Sequence, residues 1–484
     1  MWIILTGFSV FIPCEYGITN RLNMATHLYS YESKISAPAA DVFGYHERPS
    51  ALQRLSPPWE PIQVLEKRGG IRAGDSVSIQ MNLGPFKSVW KAKHIEYQEN
   101  RQFVDIQEKG PFKYWKHTHS FRSINPLETN LKDTVQFELP FGAYGHALGY
   151  SKVRKKLNQL FTYRHTTTQN DLNDWMDLKS YPSRKIAITG GNGLIGSELA
   201  VYLQAQGHEV VIISRSGKSR VFGVSGVRWD PDNKYIDARA LTDVDCWIHL
   251  AGENLAQGRW TKKRIKALKD SRVNSTRFLV SFLLGLKNPP KVFISASGVG
   301  YYPSSESVMT EDSAKGEGVL ADICSDWEDA SSSLIGSPIR RVVMRTGIVL
   351  SRKGGALAKL LPVFKSGLGG RVGSGNQFWS WIALDDLIRI YNFAVKHPEC
   401  EGIINAVSPT ACTNREFSKT LASTLRRPAV LPAPAWGLKL LLGRMADEAL
   451  LASQNVEPSA IKAFDFKFNF PDLDLALDHC LGKY

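Results

Sequence analysis

The chain of 484 residues has only six cysteines, and none of them falls in a CxxC. Cys14, Cys246, Cys324, Cys400, Cys412 and Cys480 are scattered. That excludes a disulfide framework or a cysteine-rich zinc site and points to a reducing, cytoplasmic compartment. Long apolar runs are missing too. The opening stretch MWIILTGFSVFIPCEYG is too short to span a bilayer. It also lacks the basic start and small-residue cleavage site of a signal peptide. No membrane span is expected, and residues 1–25 read as a disordered N-terminal extension, with Met24 as an alternative start. Nor is charge of one sign concentrated. The net charge of +14 divides into +5 over residues 1–179 and +9 over 180–484, so no basic patch for nucleic acid is expected. There is no internal repeat.

Two textures are present. Residues 26–165 alternate short aromatic and β-branched runs with turn signals at Gly69-Gly70, Asn82-Leu83-Gly84-Pro85, Glu99-Asn100 and Gly110-Pro111. This spacing predicts antiparallel strands, closed by a helix over about Ala147–Tyr163. The stretch DLKSYPSRK then reads as a linker. From Lys185 onward apolar strands alternate with helical patterns, as in a parallel α/β sheet. The basic runs TKKRIKALKDSR (261–272) and VRKKL (153–157) read as solvated helix faces, with Ile265 and Leu268 of the first turned inward.

The segment KIAITGGNGLIGSELAVYLQAQGHEVVIISRSGKSR, residues 185–220, places a strand, a glycine cluster, a helix and a second strand in order. Gly190 suits the tight turn, Gly193 lets a pyrophosphate approach the backbone, and Gly196 lets the helix pack on the strand. A glycine triplet alone also fits a bare strand–helix turn; the full order favours a dinucleotide site. An NAD-preferring site carries a carboxylate at the end of the second strand for the ribose 2′-hydroxyl. Here Ser214, Arg215 and Ser216 stand in its place. An exposed arginine by itself is common, but a missing acid together with a present base points to NADP(H).

These residues resemble the atypical extended short-chain dehydrogenase/reductases, in particular the nucleoside-diphosphate-sugar-epimerase-like family with a C-terminal domain of unknown function. TGGNGLIG, IHLAGENLA, SASGVGYY, ICSDWE, RTGIVLS, GSGNQFWSWIALDD and NAVSPTACTNREF carry the resemblance over 185–478, with the tail LPAPAWGLKLLLGRMADEALLASQNVEPSAI. Residues 28–165, through LGPFKSVWKAKHIEY and GPFKYWKHTHSF, resemble the START-like helix-grip domains of the SRPBCC superfamily. The fold so implied is a doubly wound α/β Rossmann domain with a small C-terminal α/β substrate part, preceded by an α+β helix-grip domain with an apolar cavity. The expected boundaries are 26–178 for the helix-grip domain, 183–405 for the Rossmann domain and 406–484 for the C-terminal segment. The resemblance also implies cofactor contacts from Gly190, Gly193, Leu194, Ile195, Gly196, Ser214, Arg215, Leu250, Ala251, Gly252, Arg272, Ser295 and Arg345.

Members of that superfamily use a Tyr-xxx-Lys pair with a serine, and often an asparagine. Ser297 matches the serine, but Cys324 and Glu328 of ICSDWE stand at the tyrosine and lysine positions, and Arg272 stands at the asparagine. A carboxylate cannot supply the lysine's positive charge, so the usual proton relay is absent. The candidates left for catalysis are Ser297 with Tyr302 (or its neighbour Tyr301) or Cys324. In the first domain Trp115, His117, His119 and Phe121 share one strand face. They read as a ligand cavity; fully satisfied core histidines are the rival. No third ligand is visible beside the histidines, so no metal is expected. The expectation is an NADP(H)-binding oxidoreductase or epimerase-like protein on a small substrate, fused to an apolar-ligand-binding domain. A catalytically silent NADP(H) sensor is the alternative. Oligomeric state is left open.

Overall fold

The computed structural model describes residues 26–83 and 86–484; the extension expected over residues 1–25 lies outside the described residues. Seven strands form the first sheet: β1 His27–Ile35, β2 Ile62–Arg68, β3 Ser76–Leu83, β4 Phe86–Gln98, β5 Gln102–Lys109, β6 Tyr114–Asn125 and β7 Glu128–Glu138. Every pairing is antiparallel, in the order β1-β7-β6-β5-β4-β3-β2. In β7 buried and partly buried residues alternate without exception, so Leu131, Asp133, Val135 and Phe137 all face inward. The turn signals at Gly69-Gly70, Glu99-Asn100 and Gly110-Pro111 fall between strands, whereas Asn82 and Leu83 end β3; Asn100 takes a left-handed conformation (φ 58°) in the β4–β5 turn.

The closing helix is much longer than its sequence pattern predicts: it runs Gly142–Leu178, 37 residues rather than Ala147–Tyr163. The sequence signal fades at HTTTQND, where threonine, asparagine and aspartate are poor helix formers. Burial overrides that propensity, because Thr167, Thr168, Asp171 and Leu172 are all buried against neighbouring elements.

The second sheet has eight strands. In spatial order they are Tyr235–Ile236, Ser225–Asp230, Glu209–Ser214, Lys185–Thr189, Cys246–His249, Val292–Gly298, Arg340–Thr346 and Gly402–Ala406. All run parallel except the short Tyr235–Ile236 edge. The first strand of the unit thus lies between the second and the fourth parallel strand, which is the topological switch point of a doubly wound sheet. Its strands are near-continuous apolar runs because helices cover both faces; Ile186, Ile188, Ile212, Ile248 and Ile294 are fully buried. No helix among the described residues is long and apolar enough to cross a membrane.

The two sheets are joined through buried charge. Near the end of the long helix, Asp171 is gripped by Arg54 through Nε and Nη2, each at 2.9 Å, and Arg54 Nη1 also reaches Asp385 at 2.7 Å. One turn on, Asp174 is held by Arg389 at 2.7–2.9 Å, and Arg389 Nη1 pairs with Asp386 at 2.8 Å. Tyr45 and Tyr202 donate hydroxyl hydrogens to Asp171 and Asp174, at 2.7 and 2.8 Å. The C-terminus joins the seam: Gln159 donates to Gly482 O, and the Trp59 and Tyr484 rings meet edge to face. Replacing Arg389 with alanine would strand two buried carboxylates. A loss of about 3–5 kcal/mol in urea unfolding is expected. A loss below ~1 kcal/mol would show instead that water screens this seam in solution.

Candidate functional site

The loop after Lys185–Thr189 lies against the loop after Cys246–His249 at the switch point. Gly190 has φ +71°, and a Cβ on it would sit 2.7 Å from the Leu250 carbonyl carbon, so no other residue fits. A Cβ at Gly196 would lie 2.5 Å from Gly190 O, so the missing side chain is what lets the helix Leu194–Ala205 start flush on the loop. Gly193 is the N-cap and offers no side-chain cap, which leaves the Leu194, Ile195 and Gly196 amides available to an anion. Asn192 ties this loop to the one after the second strand: it donates to Lys218 O at 2.9 Å and accepts from Arg220 N at 2.7 Å. Sequence reasoning passed over this brace.

At the end of Glu209–Ser214, the Ser214 hydroxyl donates to Lys218 O, while Arg215 is largely exposed. The nearest acid to Arg215 is Glu253, at 3.8 Å, and Glu253 is itself bonded by Arg264 at 3.0 Å. Leu250, Ala251 and Gly252 form the facing wall, with Leu250 N donating to Thr189 O at 3.1 Å. Arg272 lies against Gly252, donates to Leu268 O and Glu253 O, and sits over the Trp327 ring at 5.1 Å. Burial lowers its pKa to about 10, which leaves it charged at neutral pH. Ser295 is fully buried within its strand, its hydroxyl turned to Ala296 O.

The positions nominated for catalysis form one buried network. Three adjacent parallel strands set Ser297, Arg345 and Asn405 side by side in register. The Ser297 hydroxyl donates to Glu328 Oε1 at 2.6 Å. Arg345 grips Glu328 through Nε at 3.0 Å and Nη2 at 2.8 Å, while its Nη1 donates to the Tyr302 hydroxyl at 2.9 Å. Tyr302 in turn donates to Asn405 Oδ1 at 2.7 Å. Its hydroxyl is therefore engaged on both sides, and burial raises its pKa. The Arg345 guanidinium also lies 3.5 Å from the centre of the half-buried Tyr301 ring. Arg345, expected among the cofactor contacts, is thus spent within the protein. Burial, reinforced by the Glu328 charge, pushes the Cys324 thiol up to about 11 despite the nearby Arg272, so it stays protonated.

In the first domain Trp115, His117, His119 and Phe121 share the concave face of β6, and the lining is not uniformly apolar. Trp115 belongs to one apolar cluster with Val135, Phe137 and Phe161, and Phe121 to another with Phe43, Phe103 and Leu131. Between them His117 Nε2 bonds Asp133 Oδ1 at 2.8 Å, and His119 Nδ1 lies 2.7 Å from the same oxygen. His165 Nε2 contacts Asp133 Oδ2 at 2.6 Å. The third ligand that the sequence does not show beside the histidines comes from β5: Asp105 pairs with His117 in register.

A doubly wound sheet with a glycine loop at its switch point defines a dinucleotide-binding Rossmann protein of the short-chain dehydrogenase/reductase type. Residues 186–319 match the model of the NAD dependent epimerase/dehydratase family. Residues 35–161 match polyketide cyclase / dehydrase and lipid transport, and residues 433–480 match a domain of unknown function. An epimerase family protein of Mycobacterium tuberculosis is 38% identical over 299 residues, 62% of this chain and 98% of that protein. The human epimerase family protein SDR39U1 is 36% identical over 297 residues, 60% and 98% of the two chains. The chain belongs to this epimerase family, atypical extended short-chain dehydrogenase/reductases, here fused to an N-terminal START-like SRPBCC helix-grip domain. Among solved structures, a nucleoside-diphosphate sugar epimerase from Corynebacterium glutamicum superposes with TM-score 0.76 at 29% identity, covering 94% of this chain and 90% of that one. Human SDR39U1 (isoform2), solved with NADPH, gives TM-score 0.57 at 34% identity over 62% of this chain and 100% of its own.

Truncating Glu328 to alanine leaves the Arg345 guanidinium buried without its carboxylate. We expect about 3–5 kcal/mol of lost stability in chemical denaturation, and a smaller loss for Glu328→Gln, which keeps one acceptor. Equal, small losses for both would mean the ion pair is not formed in solution.

Proposed function

We propose that this chain is an NADP(H)-dependent oxidoreductase or epimerase-like enzyme acting on a small substrate in the cytoplasm. The observation that carries the reading is the switch-point loop, a cradle that a Cβ at Gly190 or Gly196 would fill, followed by Arg215 where an NAD site has its acid. The pyrophosphate is taken by the Leu194, Ile195 and Gly196 amides, and the 2′-phosphate by Arg215 with Ser214 beside it. Arg215 suits that role because its only acidic neighbour among the described residues is 3.8 Å away and the side chain is 75% exposed, so little holds it elsewhere. A nicotinamide held there would supply the hydride chemistry. The chain's own task is to hold the substrate oxygen and manage its proton.

Proton handling without a Tyr-xxx-Lys pair falls to Ser297 and Tyr301. Tyr302 and Cys324 are less suited, one bonded on both sides and the other held protonated by burial. Tyr301 keeps a positive group against its ring through Arg345. The substrate pocket is completed by residues 351–385 and the segment 406–484, and the helix-grip domain takes an amphipathic ligand. Its polar centre flanked by two apolar clusters supports that last assignment. One observation favours the silent-sensor alternative: the Ser297 proton is already donated to Glu328 inside the protein.

Arg215→Ala should weaken NADPH binding by roughly 1.5–3 kcal/mol and leave NADH nearly unchanged in a fluorescence titration. Equal losses for both would remove Arg215 from the 2′-phosphate. Oxidation of NADPH by members of a carbonyl panel separates enzyme from sensor, since a sensor leaves the cofactor unchanged. In an active preparation Tyr301→Phe should lower kcat at least tenfold and Tyr302→Phe should instead lower stability; the reverse pattern would assign the proton to Tyr302.

A further inference from the structure

We propose that the helix-grip domain holds one divalent transition-metal cation of the zinc type, bound by Asp105, His117 and His119.

The sheet register builds the site. His94, Asp105 and His117 stand side by side across β4, β5 and β6, while Phe103, His119 and Asp133 stand in the next inward-facing row. One donor atom from each of Asp105, His117 and His119 lies within 4.8 Å of the others. His117 Nδ1 is 3.6 Å and His119 Nε2 is 3.5 Å from Asp105 Oδ2. Those separations are longer than good hydrogen bonds, which close to about 2.7–3.2 Å. They suit two donors sharing one ion: bonds of about 2.0–2.1 Å in a tetrahedral shell put neighbouring donors roughly 3.3–3.4 Å apart.

Proton placement points the same way. His117 donates its Nε2 hydrogen to Asp133, so the lone pair of the neutral ring is on Nδ1 and faces Asp105. His119 sets Nδ1 2.7 Å from the same carboxylate, which holds the proton there and leaves Nε2 facing Asp105. With both rings neutral, two imidazole nitrogens and a carboxylate oxygen converge on one point, the arrangement a bound cation requires. Asp133 plays the part of the outer carboxylate that orients ligating histidines, and His165, braced by the Ser33 hydroxyl at 2.6 Å, fixes Asp133 from the far side. Two imidazoles and one carboxylate suit zinc, with a fourth position left for water or a ligand. His94, next to Asp105 in the row, is buried with its Nδ1 unpartnered. The ion would sit between the two apolar clusters and give the anionic head of an amphipathic ligand something to bind.

The test uses the full, untagged chain, stripped with a chelator and titrated with Co²⁺ as the probe. One equivalent of Co²⁺ with a visible d–d band, displaced by Zn²⁺, is the expected result. Asp105→Asn and His119→Gln should each weaken binding at least tenfold while melting cooperatively by circular dichroism. Should either fail to fold, metal content of the wild-type chain and the rise in its melting temperature with added Zn²⁺ carry the test. No saturable Co²⁺ uptake by the wild type, or uptake unaltered in the folded variants, overturns the proposal.

Discussion

The pairing of Asp171 and Asp174 with Arg54 and Arg389 is the constraint on which the rest of the molecule depends. A carboxylate removed from water is tolerated only with a partner at bonding distance, so these pairs admit little variation in geometry. Both aspartates lie on the last turns of the helix Gly142–Leu178, whose earlier turns close the helix-grip sheet. Arg54 comes from the helix-grip half and Arg389 from the Rossmann half, and Asp385 and Asp386 complete the chain of charge. Burial disfavours an ionised Asp385, yet Arg54 and His479 hold its pKa far below the carboxylate range. One helix thereby belongs to two cores. Gln206 donates to Asp171 O from the end of the helix that starts at the glycine loop, so the seam and the nucleotide cradle share an element.

That sharing explains which parts of the fold were legible in the sequence. The strands of both sheets announce themselves locally, by alternation in β7 and by unbroken apolar runs such as KIAIT. The glycine loop is legible because its requirements are steric and involve only nearby backbone. The second half of the long helix was not, because HTTTQND is helical for reasons outside the segment: Thr167 and Thr168 fill space between elements and Asp171 and Asp174 meet arginines more than a hundred residues away. A window of sequence carries propensity but not the partner. The same limit hid Asp105, which reaches His117 only through strand pairing, and Asn192, whose brace is a contact across 26 residues.

The helix-grip interior shows how apolar patterning conceals polar design. Trp115, His117, His119 and Phe121 alternate correctly for an inward face, and from one strand the histidines look like polar points on an apolar wall. Across three strands they become the centre of a buried cluster with Asp105 and Asp133. Burial alone would strip a proton from His117, while two carboxylates around His119 raise its affinity for one.

The same logic governs the network around Glu328. Its carboxylate puts an anion in a buried site, which the fold must offset nearby. The offset is Arg345 on the adjacent strand, in register with Ser297, and its bidentate grip on Glu328 restores neutrality. Tyr302 then cannot act as the usual phenol does, because its hydroxyl is used to tie Arg345 to Asn405. Tyr301, stacked on the same guanidinium, inherits the neighbourhood of the cation without being tied by it. Glu328 buried alone would be unintelligible; it becomes intelligible once Arg345 is placed between it and the two tyrosines.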